Sequence, residues 1–180
     1  NTSTKCDNKF LSLGPIFNNE FNNKNIDYIK VPKISGSCMF INSEIFDLLK
    51  GFDENIFLYF EEDDLCRRAN KRDYFSYILP EINLIHQSGT TVESSSHESK
   101  KKLKELTLWH FIWSKYYFHK KEYGNLFSLI IFLPTLIRIL LRLTFYKIFK
   151  DKDKFNKYKI RLNGLITSMK GTNSFKRIDN

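Results

Sequence analysis

Four carboxylates in a row, Glu61, Glu62, Asp63 and Asp64, follow the apolar residues 56–60 and precede Leu65, Cys66, Arg67 and Arg68. Adjacent like charges repel, and burying any one of them raises its pKa. A run of acids emerging from an apolar segment is therefore costly unless chemistry uses it. A carboxylate within hydrogen-bond reach of a hydroxyl can act as a general base, and one facing a cation can ligate a metal. The alternative is a solvated acidic helix start, since leading acids suit the helix dipole. Asp64 and Arg67, spaced i and i+3, have their own structural alternative as an ion pair that fixes the helix N-terminus. Asp53 can close a turn, and His86 at a strand end can simply be exposed or hydrogen-bonded.

The elements that must position these groups can be read from pattern. Residues 56–60 are apolar throughout and predict a strand buried on both faces. A helix is expected from about 62 to 71. Residues 28–33 alternate and predict a short strand leading to Pro32. Residues 34–41 join the small residues Ser35 and Gly36 to an apolar run. They predict a strand whose backbone either approaches a ligand closely or carries a glycine bulge. Asn42 or Ser43 caps a short helix running to Leu49, with Gly51 as its C′ stop. Residues 74–79 and 82–86 read as strands split by Pro80. Residues 1–27 and 90–99, rich in Asn, Lys, Ser and Thr, read as loops.

In order along the chain stand a small-residue strand (Ser35-Gly36), Gly-Phe-Asp-Glu (51–54), the acidic cluster (61–64) with Arg67 and Arg68, and His86-x-x-Gly89-x-Thr91. This order resembles the second half of a GT-A glycosyltransferase of family 2, its rhamnosyltransferase-like members most. The resemblance implies an α/β fold, the end of a mixed nucleotide-binding sheet followed by helices. It also implies transfer of a sugar from a nucleotide-sugar donor to a glycan or lipid-linked acceptor with inversion, as in cell-surface polysaccharide biosynthesis. By the same resemblance Glu62 falls on the general base, where the family more often has Asp, and Glu61 is the other candidate. Asp64 supports them, Ser35, Gly36, Asp53 and Arg67 lie on the substrate side, and His86 faces the metal or the diphosphate. A divalent cation, Mg2+ or Mn2+, is implied, held mainly by an Asp-x-Asp motif that precedes this region in the family. The letters Asp151-Lys152-Asp153 sit in the basic tail, far past the site. A fragment of a longer transferase is therefore expected. The Glu at position 62 keeps open a non-catalytic, membrane-peripheral scaffold of the same fold.

Composition divides the chain at about residue 99. Residues 1–99 carry 10 Lys/Arg against 15 Asp/Glu, and residues 100–180 carry 19 against 5. The first part is expected to be catalytic, the second a basic helical region facing an anionic surface. Leu103, Leu106, His110, Trp113 and Tyr117 trace one helical face. Trp109, Trp113, Tyr116 and Tyr117 beside Lys115, Lys120 and Lys121 form an aromatic-basic zone suited to a membrane interface. Residues 126–137 hold no charge, a run shorter than a spanning helix wants, and Pro134 is expected to bend it. Residues 126–149 can lie in the interface, pack as a buried helix, or span with two arginines inside. Gly164 and Gly171 are expected to break the tail. Basic residues interleaved with long aliphatic runs argue against nucleic acid. The three cysteines sit at no metal-ligand spacing and are expected to be reduced thiols. The expected location is cytoplasmic, peripheral on the inner face of the cell membrane.

Overall fold

A computed structural model of the chain describes residues 5–6, 10–13, 28–80, 82, 84–85, 96–174 and 176. The chain forms two compact units, residues 1–53 with 61–93, and residues 54–60 with 94–180. Residues 54–60, assigned by composition to the acidic part, thus belong with the helical unit.

In the first unit a four-stranded mixed sheet has the order β3-β5-β2-β4. Its strands are β2 (Phe10–Leu13), β3 (Ile29–Val31), β4 (Phe40–Ile41) and β5 (Phe75–Ile78). β5 runs antiparallel to both β2 and β3, while β2 and β4 are parallel. A separate antiparallel pair joins β1 (Lys5–Cys6) to β6 (Leu84–Ile85). The two strands within residues 1–27 correct the expectation of loop. Polar residues dominate that stretch, and its short apolar segment Phe10–Leu13 extends only by pairing with distant partners.

Two helices accompany the sheet, α1 (Ser43–Leu48) and α2 (Glu61–Asn70). Asn42 caps α1 by accepting from the Ile45 N–H. At the other end Lys50 N–H donates to Asp47 O and Gly51 N–H to Phe46 O, both at 2.9 Å. That pairing is a Schellman motif. Its left-handed C′ is Lys50 (φ 60°), one residue before the glycine expected there, and Gly51 follows at φ 65°. Ile45 and Leu49 from α1 pack with Leu65 and Ala69 from α2. A smaller cluster holds Ile34 and Cys66 beside Cys38 and Ile78.

Of two further expected strands, the one over 34–41 is present only as β4 (Phe40–Ile41) and the one over 56–60 is not found. Residues 34–39 form a turn at Gly36-Ser37, and residues 56–60 are irregular. Within 56–60 only Ile56 is buried, and Tyr59 and Phe60 adopt φ of 65° and 70°. Left-handed backbone at two bulky residues forbids an extended ladder. Their rings lie against Phe111, at 5.6 and 5.8 Å between centroids.

The second unit packs three helices, α3 (His97–Tyr123), α4 (Asn125–Ile148) and α5 (Lys152–Met169). Ile112, Tyr116, Phe132, Ile139, Tyr158 and Leu165 form its core. Trp109 and Tyr116 are 0% exposed and Trp113 2%. The aromatic zone is therefore internal rather than facing headgroups. Trp109 Nε1 donates to Asn163 Oδ1 at 2.7 Å and Trp113 Nε1 to Thr172 O at 3.1 Å, so both indoles are satisfied inside. Gly164 does not break the tail. It lies buried within α5, where a Cβ would stand 2.8 Å from Ile112 Cγ2 and from Trp109 O. Gly171, with φ 74°, does follow the helix end. Pro134 sits inside α4 without ending it.

Candidate active site

The acidic run forms the first turn of α2, and its burial excludes a solvated helix start. Glu61, Glu62 and Asp63 are half-buried and Asp64 is fully buried. The helix dipole offsets part of their mutual repulsion, by about 0.3–1 kcal/mol for a well-placed acid. The rest is handled residue by residue.

Asp64 accepts from Arg68 Nε at 2.7 Å, one helical turn on. The same guanidinium donates through Nη2 to Gly51 O at 2.7 Å and through Nη1 to Leu49 O. Arg68 therefore neutralises the buried carboxylate and ties α2 to the end of α1, just where the Gly-Phe-Asp-Glu turn begins. Sequence spacing pointed to Arg67, which is exposed, and Arg68 one residue on also meets Asp64. Both i+3 and i+4 neighbours are basic here, and only burial distinguishes them. Asp63 pairs with Lys33 across 2.6 Å. That contact was not legible in the sequence, because 30 residues separate the partners. With Lys33 largely exposed, the pair is worth at most about 1 kcal/mol.

Glu61 and Glu62 are handled differently. Gly36 N–H donates to Glu62 Oε1 at 3.4 Å, a long bond. The turn carrying Gly36 is closed by Ser35, whose Oγ accepts from Ser37 N–H at 3.3 Å. A Cβ at position 36 would lie 3.7 Å from Glu62 Cδ and Oε1, an ordinary contact, so Glu62 alone does not require glycine there. Glu62 Oε2 and Glu61 Oε2 are shielded from solvent and have no hydrogen-bond partner among the described residues. A shielded carboxylate oxygen without a donor is costly, and a hydroxyl or a cation arriving there would remove the cost. Burial is the main cause holding the Glu61 carboxyl above its usual range, with Glu62 and Asp63 adding repulsion and a backbone hydrogen bond opposing.

The structure thus brings Gly36 to Glu62 and Lys33 to Asp63 at the first turn of α2, with Ser35 in the turn that carries Gly36. Asp53 is half-buried in the segment after Gly51. His86, Gly89 and Thr91 lie outside the described residues. Among the described residues no three His, Cys, Asp or Glu side chains are grouped to hold a metal ion. Glu61 and Glu62 offer hard oxygen donors suited to Mg2+ or Mn2+, but two carboxylates alone do not complete such a site. Cys66, beside Ser76 Oγ at 3.6 Å, is pushed up by burial and is a packing thiol rather than a nucleophile. Cys38 and Cys66 are both free thiols.

No protein-family model matches the chain, and no solved structure matches it. A stretch of 66 residues is 33% identical to the N-acetylglucosaminyl-diphospho-decaprenol L-rhamnosyltransferase of Mycobacterium tuberculosis, in strain CDC 1551 / Oshkosh and in strain ATCC 25618 / H37Rv. The match covers 36% of this chain and 22% of that protein. It supports a glycosyltransferase-like relationship and a transferase type of enzyme. The mixture of helix and sheet is compatible with an α/β class.

Proposed function

We propose that this chain carries the acceptor side of a GT-A, family 2 type glycosyltransferase that moves a sugar from a nucleotide donor to a glycan or lipid-linked acceptor. The partial likeness to a rhamnosyltransferase of a lipid-linked acceptor supports the reaction class. One observation carries the residue assignment: Glu62 keeps an oxygen shielded from solvent and without a partner among the described residues, beside a turn of small residues.

A sugar hydroxyl is a weak nucleophile. In this reading Glu62 Oε2 accepts the hydroxyl proton as the oxygen forms its bond to the anomeric carbon. The bond from that carbon to the diphosphate breaks, and its electron pair leaves with the nucleoside diphosphate. Attack opposite the leaving group inverts the anomeric centre. A positioned base of this kind contributes roughly 10²–10⁴-fold. Glu61, whose carboxyl burial holds above its usual range, is the second candidate for the same task. Asp64, neutralised by Arg68, acts as a positioning residue that fixes the first turn of α2 against the Gly51 carbonyl. Ser35, Gly36, Asp53 and Arg67 are assigned to substrate contact, and His86 to the diphosphate side. A divalent ion, where bound, would stabilise charge developing on the leaving diphosphate.

The test is product stereochemistry. The whole encoded protein is given nucleotide sugars and a polyprenyl-diphosphate-linked acceptor, and the new linkage is examined by NMR. A product of opposite anomeric configuration to the donor, formed with stoichiometric nucleoside diphosphate, is expected. Retention of configuration would remove a single-displacement base, and no transfer from any donor would favour the non-catalytic scaffold.

A further inference from the structure

The helical unit leaves one face that its own packing does not explain. α4 buries Ser128, Phe132 and Ile139 but exposes most of its remaining apolar side chains. Leu126 and Ile148, at opposite ends, are each 75% exposed, and Leu141 between them is 65% exposed. At 24 residues the helix is about 36 Å long, so this band far exceeds an ordinary exposed apolar patch.

We infer that this face of α4 is a membrane-docking surface, lying flat in the interface of a bilayer that contains anionic lipid. Charge selects lipid over a second copy of the chain. α4 holds no Asp or Glu, and its charged residues are Arg138, Arg142 and Lys147. A two-fold interface built on this face would set like charges against each other with no acid to meet them, whereas anionic headgroups complement them. Arg142 is occupied inside the unit, donating to Tyr146 Oη at 3.3 Å and lying over the Tyr158 ring. Arg138 and Lys147 are exposed and have stems long enough to keep their charges at headgroup level. At the end of α4 a cavity of about 360 Å³ is lined by Tyr146 and Phe155 together with Lys147, Lys150 and Lys152. Apolar walls with a lysine rim suit an acyl chain and its phosphate. Asp151, also at this cavity, is occupied by Lys154 at 2.9 Å and by capping α5.

Packing decides between lying flat and spanning. By composition α4 could cross a bilayer, its most apolar stretch of 18 residues having a mean hydropathy of 2.1. However, its buried stripe is fixed along α5, where Tyr146 stacks on Tyr158 at 5.7 Å and Ile139 shares a cluster with Leu165. Crossing would draw α5 to hydrocarbon depth with Lys154, Lys157, Lys159 and Arg161, which is prohibitive. A flat helix keeps α5 on the aqueous side. The buried rings of α3 take no part.

The experiment is flotation of the full chain with vesicles of phosphatidylcholine alone or with phosphatidylglycerol added. Binding to the phosphatidylglycerol vesicles, release by high salt or alkaline carbonate, and weak binding to phosphatidylcholine are expected. Ile130→Glu with Leu141→Glu, two exposed positions, should weaken binding at least about tenfold. Lys147→Glu with Lys150→Glu should abolish the preference for anionic lipid while far-UV circular dichroism is unchanged. No vesicle binding by the wild type overturns the inference. So does unchanged binding by Ile130→Glu/Leu141→Glu, resistance to carbonate, or self-association through this face that excludes vesicles.

Discussion

At the residue scale, the four acids of α2 show how one charge pattern divides into different tasks by burial and by the partners that folding brings. Asp64 is fully covered and is neutralised by Arg68, while Asp63 reaches the largely exposed Lys33. Glu61 and Glu62 retain unpartnered, shielded oxygens. The Glu61 carboxyl, raised mainly by burial, holds its proton more tightly in the folded chain than in the unfolded one. The resulting stabilisation is complete below the ordinary value of 4.5 and is lost as pH rises through the folded value. Glu61→Gln removes this dependence. Urea midpoints measured from pH 4.5 upward should fall for the wild type relative to Glu61→Gln, leaving the variant more stable at neutral pH. Parallel curves would show that Glu61 is not desolvated.

At the element scale, the helices were the most legible part. The capping residue Asn42, the leading acids of α2 and the three- and four-residue steps of α3 are local signals, and each marks a helix in the structure. Three features were not legible because they depend on distant partners. The strands within residues 1–27 rest on pairing with β4, β5 and β6. Residues 56–60 look like a buried strand, yet their backbone turns left-handed and their rings serve the helical unit. Gly164 reads as a break but permits the close approach of α5 to α3. Alanine there would gain up to about 1 kcal/mol of helix propensity and lose roughly 1–3 kcal/mol to overpacking. Contact with the Trp109 carbonyl, which is backbone and cannot move aside cheaply, pushes toward the upper end. Gly164→Ala should therefore lower the thermal midpoint of the helical unit, followed by circular dichroism at 222 nm. A raised midpoint would contradict the packing of α3 on α5.

At the scale of the whole molecule, the contrast between an acidic first part and a basic second part corresponds to two different surfaces. One presents shielded carboxylates beside a small-residue turn, and the other presents an apolar helix edged with arginine and lysine. The identity of the acids and their position at a helix start were readable from the chain; their division of labour was not, since Arg68, Lys33 and Gly36 reach them only through folding. The same limit applied to the tryptophans of α3, whose composition suited a membrane and whose ring N–H groups instead find partners inside. Transfer by this route requires Glu62 to take a proton from the acceptor. Glutamine at that position keeps the side chain's shape and an oxygen for the Gly36 N–H, but it has almost no basicity. Steady-state turnover of the whole encoded protein and of Glu62→Gln, with saturating donor and varied acceptor, is the direct measurement. The expected result is a loss in kcat of roughly 10²–10⁴-fold with KM for the acceptor little changed. Equal kcat in the two proteins would contradict the assignment.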